Sequence, residues 1–198
     1  MKVDRGIYMK FLEEAILTNG RIIDNEIIKV DSFINHQIDP KIINKLAEAF
    51  VEEFKDQKID KVLTLETSGI PIAYAVASLL GVKMVFAKKS KSKTVDMNNV
   101  YSEEVRSFTR GTVSTVTVSK NYIVKGENIL LVDDFLAKGN AALGLINIVN
   151  KGGAHPVGFC AAITKSFQGG RDMLEAMGIK VVSGATITAF KDNKPIFE

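Results

Sequence analysis

The sequence predicts an α/β fold in which a mostly parallel sheet is covered by helices on both faces. From residue 59 onward, short apolar runs rich in β-branched residues alternate with stretches of helical spacing, a pattern typical of parallel sheets. The intervening helices are predicted at about residues 69–80, 139–151 and 168–177. The apolar runs, which we interpret as buried strands, lie at residues 61–66, 82–87, 128–133, 156–163 and 180–182.

Two helices and a short strand precede this alternation. Apolar residues recur at helical spacing over residues 8–18 and 40–56, and Asp39-Pro40 supplies an N-cap and a first-turn proline for the second helix. A short strand is predicted at residues 27–30. Valine and hydroxyl side chains alternate over residues 112–119, which predicts a strand with one solvated face or a strand at the sheet edge.

Length and composition indicate a single folded domain. A chain of 198 residues can bury a substantial core without a second domain. The hydrophobic fraction of 46% and charged fraction of 25% are close to globular averages, which argues against a disordered chain. No apolar stretch is long enough to cross a bilayer and residues 1–6 lack a signal-peptide core, so we expect no membrane partner and a cytoplasmic location. The single cysteine, Cys160, lies in an apolar run and excludes a disulfide framework.

The charge balance argues against a nucleic-acid partner. The chain has 26 basic and 23 acidic residues, so its net charge of +3 is too small for a nucleic-acid footprint unless the charge is strongly clustered. One short basic cluster lies at residues 88–93. Such a run is usually a solvated loop, and it follows a predicted strand.

The segment of residues 129–142 carries the main functional signal. Its buried strand ends in two adjacent carboxylates, Asp133 and Asp134, and ligands bind at the carboxyl ends of strands in parallel sheets. A turn of small residues follows, in which Gly139 lets the backbone approach a phosphate at the N-terminus of the next helix. Carboxylates that accept from hydroxyls, beside a phosphate cradle, suit a ribose 5-phosphate and would stabilise positive charge at C1. An Asp-Asp pair after a strand also occurs in metal-dependent phosphatases and response regulators, so the residues alone leave those alternatives open.

Residues 131–141 resemble the phosphoribosyl-pyrophosphate (PRPP) motif of the type I phosphoribosyltransferases. Three other segments, at residues 29–40, 64–70 and 165–168, are similar to segments of the bacterial xanthine phosphoribosyltransferase family. The similarity extends over nearly the whole chain. It implies the type I fold, with a small hood over the sheet.

The resemblance also implies how the chain is organised. We expect one domain, residues 1–198, with a hood formed mainly by residues 1–40 and the C-terminal segment. The core is expected over about residues 41–185. A homodimer is the expected assembly.

The implied activity is the transfer of ribose 5-phosphate from PRPP to xanthine, giving XMP and diphosphate in purine salvage. The resemblance adds to the physical reading of Asp133 and Asp134 as the catalytic residues. The Mg²⁺ cofactor is expected to be held mainly through PRPP oxygens. The expected binding residues are Ala137, Lys138, Gly139, Asn140 and Ala141 for PRPP, Glu66, Thr67, Ser68, Gly69, Lys88 and Lys89 for pyrophosphate, and Ile28, Asn35, Lys165 and Phe167 for xanthine.

The base-binding residues have defined expected roles. Lys165 is expected to donate to a purine carbonyl, and Asn35 to the 2-carbonyl that xanthine has and hypoxanthine lacks. Phe167 is expected against the face of the base. In the phosphate cradle the family pattern is Ala-Asn-Gly-Gln-Ala, so Lys138 and Asn140 depart from it; Lys138 adds a charge, and Asn140 keeps an amide on a shorter stem.

The polar stretch 90–111 is predicted to be a long loop, and it matches the mobile loop of the family, whose closure excludes water. Tyr101, Ser102 and Arg106 are its expected closing contacts. The alternative enzyme is a guanine/hypoxanthine phosphoribosyltransferase; adenine fits poorly, since it offers an amino group to Lys165. A PRPP-sensing regulator that binds DNA is a further alternative, although the first 50 residues show no helix-turn-helix pattern.

Overall fold

The computed structural model describes residues 5–89, 97–106 and 113–198. Its helices are α1 Arg5–Asn19, α2 Pro40–Glu53, α3 Ile70–Leu80, α4 Asn140–Lys151 and α5 Gly170–Ala176. Its strands are β1 Arg21–Ile23, β2 Ile27–Lys29, β3 Lys61–Leu65, β4 Lys83–Lys89, β5 Val100–Arg106, β6 Val113–Ser119, β7 Asn128–Leu136, β8 His155–Lys165, β9 Val181–Lys191 and β10 Lys194–Phe197. A π-helical turn, Asp31–Asn35, lies between β2 and α2.

Eight of the described strands form one sheet in the order β10-β9-β8-β7-β3-β4-β6-β5. The five central strands, from β9 to β4, are parallel, whereas β10, β6 and β5 pair antiparallel at the two edges. The prediction of a mostly parallel sheet is therefore confirmed. The hairpin β1–β2 forms a separate two-stranded sheet.

The central strands are buried on both faces. Neighbouring residues of β3 and β7 enter different cores: Val62 and Leu130 pack with α1, α2 and α3, whereas Leu63 and Leu131 pack with α4 and α5. This explains why these strands are nearly continuous apolar runs without a period of two. The helices cover both faces, as predicted.

The prediction of a long loop at residues 90–111 is wrong for residues 100–106, which form β5. This strand pairs with β6 along its whole length, from Val100 opposite Ser119 to Arg106 opposite Val113. Because β6 also pairs with β4, it does not lie at the sheet edge. Residues 90–96 and 107–111 of the expected mobile loop, and the side chain of Arg106, lie outside the described residues.

Two hairpins lie within the N-terminal and C-terminal segments where a hood was expected. β1 and β2 form the N-terminal hairpin, and β9 and β10 form the C-terminal hairpin. Neither β1 nor β10 was predicted. The division into hood and core, at about residue 40, remains a prediction.

Candidate active site

The connections that follow two neighbouring strands leave the sheet in opposite directions. β3 and β7 are adjacent and parallel, yet β3 continues through α3 to β4 on one side, and β7 through α4 to β8 on the other. Such a reversal opens a crevice at the carboxyl ends of the strands, where ligands bind in open parallel sheets. The segments that meet there are residues 66–69, which we call the pyrophosphate loop, and residues 137–141, which we call the phosphate cradle.

Asp133 and Asp134 lie near the carboxyl end of β7, as the sequence predicts. Both side chains are buried, and Asp133 Oδ1 accepts a hydrogen bond of 2.9 Å from the backbone N–H of Asp134. Burial, together with the charge of Asp134, raises the pKa of Asp133 well above its ordinary value, whereas the charge of Lys89 acts in the opposite direction. Two buried carboxylates side by side are stabilised by a ligand that brings hydroxyl donors or positive charge.

The pyrophosphate loop is anchored to β4. The backbone N–H of Glu66 donates to Ala87 O, and Glu66 Oε1 accepts from the backbone N–H of Lys89. The peptide bond between Glu66 and Thr67 is cis. Gly69 ends the loop directly before α3. The loop therefore places the N-terminus of α3 next to Asp133, with Thr67 and Ser68 directly before it.

Only glycine fits at Gly69. A Cβ at this position would lie 2.2 Å from Thr64 Oγ1 and 2.9 Å from Asp133 Oδ1. The loop is thus in direct van der Waals contact with β3 and with the catalytic candidate Asp133. Sequence reasoning had selected Gly69 but missed Thr64, because a threonine inside an apolar strand carries no separate signal.

The two lysines that end β4, Lys88 and Lys89, have different surroundings. The charge of Lys89 acts on Asp133, and its backbone binds Glu66. Lys88 points to the other side of the strand, where its ammonium lies 5.9 Å from the centre of the Phe86 ring. Of the two, Lys89 is therefore the one that the structure brings to the carboxylates.

The phosphate cradle is shaped by two glycines from different elements. Gly139 has a φ of 82° and precedes the first residue of α4, Asn140. A Cβ on Gly139 would lie 2.6 Å from Met173 Cε, and a Cβ on Gly170 would lie 2.3 Å from Ala137 O. Gly170 N–H also donates to Ala137 O at 3.0 Å. The start of α5 thus packs directly against the cradle. In the sequence, the only sign of this role for Gly170 is the Gly169-Gly170 pair.

Asn35 lies next to the carboxylate pair although 99 residues separate it from Asp134. Its Nδ2 donates to Asp134 Oδ2 at 3.4 Å. Asn35 is the last residue of the π-helical turn, whose Phe33 and Ile34 are buried in the core. The candidate base-binding amide and the candidate ribose-binding carboxylate therefore share one site.

Lys165 reaches from the end of β8 to the N-terminal hairpin. Its ammonium donates to the carbonyl oxygen of Glu26 at 2.9 Å and lies 5.5 Å from the centre of the Phe190 ring. Partial burial lowers the pKa of Lys165, and the charge of Glu26 opposes that shift. Ile28, on the same hairpin, is buried. The hairpin, Lys165 and the end of β9 thus form one wall.

Phe167 is half exposed and packs edge-to-face on Phe190, with ring centres 5.8 Å apart and planes at 82°. Phe190 lies between Phe167 and Lys165, and sequence reasoning missed it because β9 was predicted to end at residue 182. Its aromatic face completes a surface against which a planar base can stack.

Two expected closing contacts lie elsewhere. Ser102 O accepts from Lys151 Nζ at 2.7 Å, and the Tyr101 ring lies near Gly152, both at the C-terminal end of α4. The phosphate cradle is at the opposite end of this 12-residue helix, about 18 Å away at 1.5 Å per residue. The structure therefore does not bring Tyr101 or Ser102 to the phosphate cradle, and their closing role stays a prediction.

Among the described residues, no group of three or more His, Cys, Asp or Glu side chains is arranged to hold a metal ion. No helix in the described ranges is both long and apolar enough to span a membrane.

Known proteins resemble this chain along most of its length. The phosphoribosyl transferase domain family matches residues 30–188. The xanthine phosphoribosyltransferase of Laribacter hongkongensis is 46% identical over 190 residues, which cover 96% of this chain and 100% of that protein. The xanthine phosphoribosyltransferase of Clostridium tetani is 46% identical over 191 residues, with coverage of 96% and 100%.

Solved structures agree on the fold. The adenine phosphoribosyltransferase of Saccharomyces cerevisiae superposes with a TM-score of 0.74 at 23% identity, covering 90% of this chain and 99% of that one. That of Trypanosoma brucei, in complex with AMP, pyrophosphate and ribose-5-phosphate, gives 0.76 at 18% identity, with coverage of 94% and 82%. At these identities the structures establish the fold alone.

Proposed function

This chain belongs to the phosphoribosyltransferase family, and from that membership we propose that it transfers ribose 5-phosphate from PRPP to xanthine, giving XMP and diphosphate. The curated relatives named above as xanthine phosphoribosyltransferases support xanthine as the base. The observation that carries the proposal is the 3.4 Å contact between Asn35 Nδ2 and Asp134 Oδ2. A new bond between base and C1 requires base-binding and ribose-binding groups to be neighbours, and these two are.

Ribose binding is the role we propose for Asp133 and Asp134. Both are acceptors when ionised, so they suit the 2- and 3-hydroxyls of the ribose. The phosphate cradle suits the 5-phosphate, because Gly139 exposes backbone N–H groups at the start of α4 and the helix dipole favours an anion there. Lys138, Asn140 and their alanine neighbours belong to this subsite.

Pyrophosphate binding is the role we propose for residues 66–69 and for Lys89. The N-terminus of α3 and the ammonium of Lys89 both favour an anionic leaving group. Lys88 is the weaker candidate, since its ammonium lies over Phe86. Glu66 acts through the backbone of Lys89, which it holds at the end of β4.

For the base, we propose that Lys165 donates to a purine carbonyl and that Asn35 donates to the 2-carbonyl of xanthine. Ile28 and Phe167 contribute apolar contacts, and Phe190 joins them on the ground of its position between Lys165 and Phe167. Lys165 already donates to Glu26 O, which holds its ammonium at the base-binding wall.

The reaction is a displacement at C1. A bond forms between a purine nitrogen and C1 while the bond from C1 to the pyrophosphate oxygen breaks, and pyrophosphate leaves with the electron pair. The base nitrogen gives up its proton to the departing pyrophosphate or to water. Positive charge develops on the ribose in the transition state, so the adjacent carboxylates of Asp133 and Asp134 stabilise it electrostatically. Positioning of the two substrates supplies the remainder of the catalysis.

Mg²⁺ is the proposed cofactor, and it would neutralise the pyrophosphate charge. Asp133 and Asp134 are close together, but no third acidic, histidine or cysteine side chain joins them among the described residues. This donor set fits an ion that binds mainly through PRPP oxygens and water, as Mg²⁺ often does.

A homodimer is the proposed assembly. The helix α3 is almost entirely apolar, with the sequence IPIAYAVASLL, yet Tyr74 and Leu79 are 66% and 53% exposed. A helix that is apolar all round is normally buried, so this surface suits a second copy of the chain. Sedimentation equilibrium tests this proposal, and a monomer at micromolar concentration would contradict it. We also propose a cytoplasmic location for the enzyme.

The deciding experiment offers the purified protein labelled PRPP, Mg²⁺ and one purine at a time. We expect XMP from xanthine, with the highest kcat/KM among xanthine, guanine, hypoxanthine and adenine. Preferred use of guanine or hypoxanthine would favour the alternative enzyme. Absence of nucleotide with every base, together with PRPP-dependent DNA binding, would favour the regulator.

A further inference from the structure

Thr64 carries a hydroxyl group for which the fold provides no partner. It lies one residue before the end of β3, its side chain is fully buried, and Oγ1 has no hydrogen bond among the described residues. Leaving a buried hydroxyl unpaired destabilises a folded protein, and valine would fill the same space without that cost. A buried polar group of this kind at the ligand edge of the sheet indicates a partner in another state of the protein.

The surroundings of Thr64 identify that partner. A Cβ at Gly69 would lie 2.2 Å from Thr64 Oγ1 and 2.9 Å from Asp133 Oδ1, so both oxygens border the same point of the pyrophosphate loop. Asp133 Oδ1 accepts one hydrogen bond, from the Asp134 N–H. A carboxylate oxygen can accept a second. Asp133 Oδ1 is therefore an acceptor with remaining capacity beside Thr64.

Asp133 needs such a donor in order to work as an anion. Among the described residues, the charged groups that act on it are Asp134, which disfavours its ionised form together with burial, and Lys89, which favours it. A hydroxyl that donates to a carboxylate stabilises the ionised form further. An ionised Asp133 accepts from ribose hydroxyls and stabilises positive charge at C1; a protonated one does neither as well.

We propose that Thr64 is a positioning residue, which donates its hydroxyl hydrogen to Asp133 Oδ1 when PRPP binds and so holds that carboxylate ionised and directed at the ribose. The hydrogen bond that is unmade in the free protein is made in the complex. The proposal rests on the proposed function, because the ribose of PRPP is the ligand for which Asp133 is positioned.

The test compares Thr64→Val with Thr64→Ser. Thr64→Val keeps the shape but removes the hydroxyl, so we expect an unchanged or higher melting temperature for the free protein. We also expect kcat/KM for PRPP to fall about tenfold at pH 7, the effect of one hydrogen bond to a charged group. The fall of kcat/KM at low pH should begin at a higher pH than in the wild type, because Asp133 loses a donor to its ionised form. We call this part of the pH profile the acidic limb. Thr64→Ser should restore the rate and the limb.

Thr164→Val is the matched control. Thr164 is a buried threonine in the same sheet, but its hydroxyl is already bonded to Ser183 Oγ at 2.6 Å. Its loss should lower the melting temperature and leave the acidic limb where it is. The proposal is overturned if Thr64→Val keeps the wild-type kcat/KM and pH profile. It is also overturned if that variant melts at a lower temperature or fails to fold, since the hydroxyl would then have a partner in the free protein. XMP formation by the wild type in the same assay separates either result from a failure of the proposed function.

Discussion

Asn25 and Asn193 lie 168 residues apart in the chain and bind each other reciprocally. Asn25 N–H donates to Asn193 Oδ1 at 3.0 Å, and Asn193 N–H donates to Asn25 Oδ1 at 2.7 Å. Each asparagine has a positive φ in the turn of its hairpin, 50° and 54° respectively. The pair therefore joins the N-terminal hairpin to the C-terminal hairpin, turn against turn. The N-terminal hairpin also receives Lys165, so this contact joins the proposed base-binding wall to the C-terminal hairpin.

Removing one of the two reciprocal hydrogen bonds should weaken binding of the base. Asn193→Gly keeps the positive φ available but deletes the side chain, and each lost hydrogen bond is worth about 1 kcal/mol. We expect the KM for xanthine to rise about fivefold, with the KM for PRPP unchanged. Asp192→Gly is the matched control, because Asp192 has a φ of 51° in the same turn. An equal rise in the KM for xanthine in both variants would contradict a specific role for the asparagine pair.

A second prediction concerns the phosphate cradle. Gly139→Ala places a Cβ 2.6 Å from Met173 Cε at a φ of 82°, so the cradle must shift. We expect a loss of stability of about 1–2 kcal/mol from the left-handed backbone and a clear rise in the KM for PRPP. Gly178→Ala has a similar φ of 79° with open space around its Cβ, and should lose stability without affecting PRPP. Unchanged PRPP kinetics in Gly139→Ala would exclude the cradle as a phosphate site.

A third prediction follows from the raised pKa of Asp133. The folded state binds the carboxyl proton of Asp133 more tightly than the unfolded chain does. The wild type therefore loses stability as the pH rises from the ordinary aspartate range through the raised pKa of Asp133. Asp133→Asn lacks this loss, so its melting temperature should exceed that of the wild type increasingly as pH rises. Its turnover should nevertheless fall roughly 100-fold, because charge stabilisation at C1 is lost.

The control for this pH dependence is Asp60, at the opposite end of the sheet. A hydrogen bond from the Asn128 backbone N–H lowers the pKa of Asp60, so its contribution has the opposite sign: it is present at neutral pH and is lost as pH falls through the folded pKa. Asp60→Asn should therefore melt at a lower temperature than the wild type at neutral pH, with normal turnover. Thermal melts across a pH series measure both variants, and a destabilised Asp133→Asn at neutral pH would contradict the argument.

The parts of the fold and site that could be predicted from sequence are those with a local signal. The parallel strands are continuous apolar runs, and Asp133, Asp134 and Gly139 follow one of them in direct succession. The strand β5 could not be recognised, because Glu103 and Glu104 give it a polar pattern; its partner strand and the packing of Val105 on α4 override that pattern.

The contacts that complete the site are long-range, and no local pattern specifies them. Gly170 supports the cradle across two elements, and Thr64 meets Asp133 through the pyrophosphate loop. The turns of the two hairpins do have a signal in the sequence. Asp24-Asn25 and Asp192-Asn193 are the same dipeptide, and such residues favour tight hairpin turns. That the two turns bind each other could be learned only from the structure.

A fourth prediction tests Lys165 as the donor to the base. Lys165→Met keeps the packing on Phe190 but removes the ammonium. We expect kcat/KM for xanthine to fall roughly 10–100-fold, the value of a hydrogen bond from a charged group, while PRPP binding measured by calorimetry is unchanged. Lys191→Met, at an exposed lysine that ends β9, is the matched control and should behave as the wild type. An equal fall in kcat/KM for xanthine in both variants would mean that Lys165 acts only through its long-range charge and does not donate to the base.

The last prediction concerns the choice between xanthine and hypoxanthine, and it rests on Asn35. Its amide lies 3.4 Å from Asp134 Oδ2, within reach of a base bound beside the ribose. Asn35→Ala should lower kcat/KM for xanthine about tenfold and leave that for hypoxanthine nearly unchanged, because only xanthine has the 2-carbonyl. Ser32→Ala, in the same π-helical turn but bonded to Asn19 O, is the control. If Asn35→Ala lowers the rates for both bases equally, Asn35 acts through Asp134 and the ribose, and the preference for xanthine has another origin.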